Sequence, residues 1–169
     1  MKRYIIAIVA AAAIAFSANA QPYDNSVGLV LGPTIGSGSS SNSTYAGVQW
    51  NHFLSEKNHI DTRVLYNNYW GGTLDAMYDW DFPFSSVNGL SLYLGPGINV
   101  GYVKDYNGLG DNCACFGFTA AAGLEYVFSG LPVALSFDWH PYMTWEPKLS
   151  GSKPGFGFAG VDLCVKYCF

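Results

Sequence analysis

Val161-Asp162-Leu163-Cys164-Val165-Lys166-Tyr167-Cys168-Phe169, the final segment of the chain, alternates apolar residues with polar or small ones and stops on an aromatic carboxy-terminus. In an extended strand, side chains two apart share a face. Val161, Leu163, Val165, Tyr167 and Phe169 therefore fall on one side, and Asp162, Cys164, Lys166 and Cys168 on the other. A water-soluble domain has little reason to keep such a stripe to its last residue. A strand that turns its apolar face to lipid does, because backbone in hydrocarbon is tolerated only as helix or closed sheet.

The opposite end carries an export pattern. Met1-Lys2-Arg3 is a short basic start, Tyr4 to Phe16 an uncharged apolar run, and Ser17-Ala18-Asn19-Ala20 offers an A-x-A cleavage site before Gln21. The run is shorter than the roughly 20 apolar residues of a membrane-spanning helix. Residues 1–20 are thus expected to be a signal peptide and residues 21–169 a single domain.

Composition agrees with a closed sheet in lipid. The 169 residues hold 11 Phe, 12 Tyr, 5 Trp and 20 Gly, but only 8 Lys plus Arg against 12 Asp plus Glu. Net charge is -4, which disfavours nucleic acid as a partner. Aromatics supply interfacial girdles in membrane barrels, and glycine supplies bends and close approaches.

Beyond residue 20 no stretch is long and apolar enough for a helical span. Period-two segments occur instead at Ser26–Ile35, Tyr45–Leu54, His59–Asn68, Thr73–Phe82, Leu90–Tyr102, Phe116–Phe128, Pro132–Tyr142 and Gly155–Phe169. These make eight strands, an even number as single-chain bacterial barrels have. Ser55–Asn58, Pro83–Gly89 and Ser129–Leu131 read as compact turns at the end that carries both termini. Gly36–Thr44, Val103–Cys115 and Met143–Pro154 read as longer loops at the other end, with Tyr69–Gly72 a short connection among them. Alternation turns Leu92, Leu94, Ile98 and Val100 one way and Tyr93, Gly95, Gly97 and Asn99 the other, and charges elsewhere follow the second set. A soluble ligand-binding barrel would be inverted, with charge outside. Aromatics mark both strand ends: Trp80, Phe82, Phe84, Tyr126, Phe128, Tyr167 and Phe169 at one, Tyr66, Trp70, Tyr102, Phe116, Trp139 and Phe156 at the other.

With its export signal, eight strands and aromatic terminus, residues 21–169 resemble the small OmpA/OmpX-like eight-stranded outer-membrane β-barrels. Gly123-Leu124-Glu125-Tyr126-Val127-Phe128, followed by Leu131 to Pro141, is similar to a strand-turn-strand unit of that group. The resemblance implies an all-β, antiparallel, up-and-down transmembrane barrel in the bacterial outer membrane. It also implies Tyr167 and Phe169 as the signal read by the barrel-assembly machinery. Outer-membrane lipid and lipopolysaccharide are the implied surroundings, and a monomer the implied state. Members range from structural to adhesive and enzymatic, so no single activity follows.

Alternation points Asp61, Arg63, Asp75, Asp79, Asp81, Glu125, Asp138, Asp162 and Lys166 into the lumen, with His59 and His140. An eight-stranded lumen is just filled by side chains, and buried charge must be paired. The expected site is therefore a structural polar network of Arg63, Asp79, Glu125, Asp138 and Lys166, with acidic residues nearer the rims solvated. Inward Gly and Ala on the fifth and sixth strands leave room for the alternative, a narrow channel or small-ligand pocket. A lipid-A-modifying enzyme is the further alternative. His140, Ser150, Ser152 and Glu146 are of suitable type, but Pro141 and Tyr142 follow His140 and no His-x-Ser arrangement exists. No catalytic residue and no cofactor are expected. Cys113 and Cys115 end the third long loop and Cys164 and Cys168 point inward. They lack ligand spacing to histidine, so no metal site is expected there, and neither local pair suits a disulfide.

Overall fold

The computed structural model describes residues 23–35, 43–67, 71–104, 112–145, 155–157 and 159–169; the expected signal peptide, residues 1–20, lies outside them. The strands are β1 (Asn25–Ile35), β2 (Ser43–Ser55), β3 (Asn58–Asn67), β4 (Gly71–Pro83), β5 (Leu90–Val103), β6 (Cys113–Val127), β7 (Val133–Trp139), β8 (Tyr142–Trp145), β9 (Gly155–Gly157) and β10 (Ala159–Cys168). Consecutive strands from β1 to β6 pair antiparallel, β6 pairs with β7 and β8, and β10 joins β7 to β1. Strands β7 and β8 follow one another along β6, and β9 pairs with β8 while β10 pairs with β7. The result is a closed barrel of eight staves.

Closure is made by the carboxy-terminal strand β10, which pairs with β1. Leu29 lies opposite Val165 and Leu31 opposite Leu163. At the edge, Asn25 N donates to Phe169 O at 2.9 Å and Phe169 N donates to Asn25 O at 2.8 Å. Every backbone edge in this region is thereby paired, as a barrel in hydrocarbon requires.

Period-two alternation sorts the side chains as expected. Leu29, Val48, Val64, Leu74, Val100, Phe116 and Trp145 form a row of directly opposed outward residues across seven staves. Leu163 and Phe137 continue the outer belt on the eighth stave and its neighbour. Leu29 is 63% exposed and Phe118 58%, whereas Arg63 and Asp162 on the inner face are 0% exposed. The compact turns use glycine where the chain needs a positive φ. Gly89 has φ +84°, and a Cβ there would meet Val127 O at 2.3 Å.

Five sequence expectations change. Cys113–Cys115 belong to β6, opposite Val103 to Gly101, and are not loop. Both cysteines are buried in the lumen because the alternation of the strand simply continues through them. Gly71 and Gly72 belong to β4 rather than to a connection; Gly71 has φ +111° and stands so close to Tyr102 O that a Cβ would be 2.2 Å away. Met143–Trp145, expected to open a long loop, belong with Tyr142 to β8. Pairs Ala122↔Trp139 and Thr119↔Tyr142 keep one register, so the seventh stave is a single strand interrupted where Pro141 has no N–H to give. The last stave is also divided: β10 pairs with β7 and β9 with β8 in registers one residue apart. Finally, Trp139 sits opposite Ala122 in the middle of β6, and Trp145, against Phe116 and Phe118, takes the outer position expected for it. Trp70 and the Phe156 side chain lie outside the described residues.

Candidate functional site

The lumen is filled by two charged groups bridged by a tyrosine. Arg63, on β3, meets three carboxylates. Its Nε and Nη2 donate to Asp61 Oδ2 at 2.9 and 2.6 Å, Nη1 donates to Asp162 Oδ2 at 2.9 Å, and Nη2 lies 3.1 Å from Asp138 Oδ2. Gln49, beside Arg63 on β2, donates from Nε2 to Asp61 Oδ2 at 2.7 Å. The planar fork of guanidinium suits such multiple carboxylate recognition.

Lys166, on β10, forms the second group. Its Nζ is 2.7 Å from Glu125 Oε2, and Tyr23 OH donates to Glu125 Oε1 at 2.8 Å. Tyr23 precedes β1, so the entering chain folds back over the lumen at the turn end. Burial, and then the Glu125 carboxylate beside it, push its phenol well above the ordinary tyrosine range, which keeps it a donor. Tyr93 joins the two groups: its hydroxyl donates to Asp138 Oδ1, and its ring lies 5.4 Å from Lys166 Nζ.

Glycines make room for these side chains. Tyr93 stands directly opposite Gly123 and Tyr45 opposite Gly32. A Cβ on Gly123 would lie 2.7 Å from Tyr93 OH and 2.4 Å from Asp138 Oδ1, and one on Gly32 would lie 2.6 Å from the Tyr45 ring. Gly123, one of the inward small residues read from the sequence as free space, is thus covered by Tyr93 and Asp138.

Arg63 meets Asp138 and Lys166 meets Glu125, with Tyr93 between the two pairs. Asp79 does not contact either cation. It faces His59, its register partner, with Asp79 Oδ2 3.4 Å from His59 Nε2, while His59 Nδ1 is 2.7 Å from Asp81 Oδ2. The acidic residues off centre are not solvated either: Asp75 and Asp79 are buried. Sequence reasoning overlooked Tyr93, Gln49 and Tyr23. Uncharged, they carried no signal beyond an inward position or, for Tyr23, a place just before the first strand.

His140 is held inside, with its Nε2 2.8 Å from Thr119 Oγ1 and 3.5 Å from Asp75 Oδ2. Ser150, Ser152 and Glu146, the other residues weighed for lipid-A chemistry, lie outside the described residues. Tyr167 and Phe169 stack on the outer face, ring centroids 6.0 Å apart. All four cysteines are buried and none is joined in a disulfide.

The sequence matches no protein-family model and no curated protein. Solved structures that share the fold include the following three. The N-terminal β-barrel domain of Pseudomonas aeruginosa OprF superposes with a TM-score of 0.59 at 15% identity, covering 88% of this chain and 100% of that one. Neisserial surface protein A, NspA, gives 0.57 at 13% identity, covering 86% and 96%. A de novo designed transmembrane β-barrel gives 0.54 at 16% identity, covering 88% and 98%. The chain therefore has the closed, eight-stranded antiparallel fold of the small transmembrane barrels, the fold that the OmpA/OmpX-like resemblance implied.

Proposed function

We propose that this chain is an integral protein of the bacterial outer membrane, exported by residues 1–20, with a structural or cell-surface interaction role and no catalysis. The observation that carries the reading is the inversion of the barrel: Arg63 and Lys166 sit wholly inside, while a belt of Leu, Val, Ile and Phe faces outward around the circumference. Water would leave that belt unburied; lipid buries it. Outer-membrane lipid and lipopolysaccharide are its surroundings, the barrel-assembly machinery its partner during biogenesis, and the monomer its working state. Tyr167 and Phe169 act as the assembly signal. A lumen packed with Arg63, Tyr93, Lys166 and their carboxylates supports a closed barrel over a channel. Fractionation of expressing cells and recordings in planar bilayers test both parts. Recovery with the outer membrane and no conductance steps is expected. Recovery in the soluble or inner-membrane fraction would overturn the location, and regular steps would overturn the closed lumen.

A further inference from the structure

His59 and Asp79 are unaccounted for by the two cation-centred groups, and Asp61 is only half used by them, through Oδ2. One ligand atom from each lies within 4.8 Å of the other two, and all three residues are buried. Their partners are incomplete in a particular way. Asp61 uses Oδ2 for Arg63 and Gln49, but its Oδ1 has no partner; neither oxygen of Asp79 accepts a hydrogen bond; and His59 Nε2 makes none. Buried polar atoms are almost always satisfied, and a bare carboxylate in a dry interior is costly. Three side chains that meet this closely thus carry four unsatisfied atoms, and every one of them offers lone pairs when His59 carries its proton on Nδ1. Something positive belongs between them.

The surroundings favour a metal ion. Asp81 Oδ2 sits 2.7 Å from His59 Nδ1 and would hold that proton there, leaving Nε2 free. A carboxylate fixing the far nitrogen of an imidazole is the usual support of a metal-bound histidine. Phe53 and Tyr93 flank the imidazole ring, with centroids at 4.8 and 5.6 Å, and fix its plane. Gly95 gives Asp79 its place, since a Cβ there would be 2.3 Å from Asp79 Oδ1. The 3.4 Å between His59 Nε2 and Asp79 Oδ2 matches the edge of a tetrahedron with bonds of about 2.1 Å, the zinc-to-nitrogen and zinc-to-oxygen range. Seven lumen carboxylates read against Arg63 and Lys166 leave negative charge for a divalent ion to offset.

We propose that His59, Asp61 and Asp79 bind one divalent transition-metal cation of the zinc or manganese kind inside the barrel. One nitrogen and two carboxylate ligands suit those ions better than calcium, which takes six to eight oxygens. The site needs only the folded barrel and stands apart from the proposal about cellular role. Chelator-stripped, refolded barrel in detergent is titrated with Zn²⁺ by calorimetry and with Co²⁺ by visible absorption. One equivalent bound, with the ligand-field bands of a low-coordinate Co²⁺, is expected. Asp79→Asn and His59→Gln should abolish that equivalent, and Asp81→Asn should weaken it about ten- to a hundredfold. Folding of each variant is checked by its heat-modifiable migration on gels. Absence of binding to the native sequence, or binding unchanged in folded Asp79→Asn and His59→Gln barrels, overturns the site. Should those variants not fold, ¹⁵N spectra of the histidine rings in the native barrel decide: a Zn²⁺-dependent shift at His59 Nε2 supports the site, and a doubly protonated ring indifferent to Zn²⁺ overturns it.

Discussion

The two buried cations of this lumen are held differently: Arg63 meets three carboxylates, Lys166 one. Lys166 is 1% exposed and its carboxylate partner Glu125 5%. Lys166→Met would leave Glu125 buried without its cation, at a cost of about 3–5 kcal/mol. Replacing both, with Lys166→Met and Glu125→Leu, should recover most of that loss, since apolar groups of like volume often serve as well as a buried ion pair. Urea unfolding in lipid vesicles measures both; a double variant as unstable as the single one would show that the pair itself is needed. Gly123→Val places a methyl-bearing carbon where Tyr93 and Asp138 already stand, 2.4 Å from Asp138 Oδ1. Overpacking of this kind costs about 1–3 kcal/mol, and an unchanged unfolding midpoint would mean that Tyr93 does not occupy the space over Gly123. Alternation made the inward positions of Arg63, Glu125, Asp138 and Lys166 legible in the sequence. It did not make their partners legible, because contact across a lumen depends on how far each strand is staggered against its neighbours. Asp79 was grouped with the cations for its charge, yet register sets it opposite His59.

Strands were read well in their middles and less well where hydrogen bonding is interrupted. Segments such as Leu90–Tyr102 differ from β5 by a residue, because alternation and flanking turn residues agree there. Cys113–Cys115 and Gly71–Gly72 were assigned to connections because Gly, Asn and Cys-x-Cys look like loop chemistry. In both places neighbouring strands supply the ladder that local composition does not announce. Pro141 acts in the reverse direction, breaking the bonding of a stave whose register with β6 runs straight through. The outward face of these elements gives a sharp prediction. Leu163 on β10 and Leu131 in a turn are 49% and 60% exposed, so in water neither should resist substitution. In a bilayer Leu163→Arg, within the apolar belt, should cost about 2–4 kcal/mol, while Leu131→Arg should stay within about 0.5 kcal/mol. Equal, small effects in vesicle unfolding experiments would argue that no lipid surrounds β10.

At the scale of the molecule, closure is what turns these stripes into an inside and an outside. Phe169 and Asn25 exchange hydrogen bonds at the seam, so the terminal aromatic stripe and the first strand complete a continuous apolar surface. That the chain would close was legible from an even number of alternating segments and from charges confined to one face. What stands over the inward glycines was less so, because Gly95 and Gly123 read as space until the side chains beside them are seen. The inverted barrel is the central claim, and magnetisation transfer in nanodiscs tests it most directly. Selective saturation of lipid acyl-chain protons should attenuate side-chain signals of Leu29, Val48, Val64, Phe118, Phe137 and Leu163 and leave those of Met77, Tyr93 and Lys166 untouched. Exchange with bulk water at the first set, or acyl-chain transfer to the second, would contradict it.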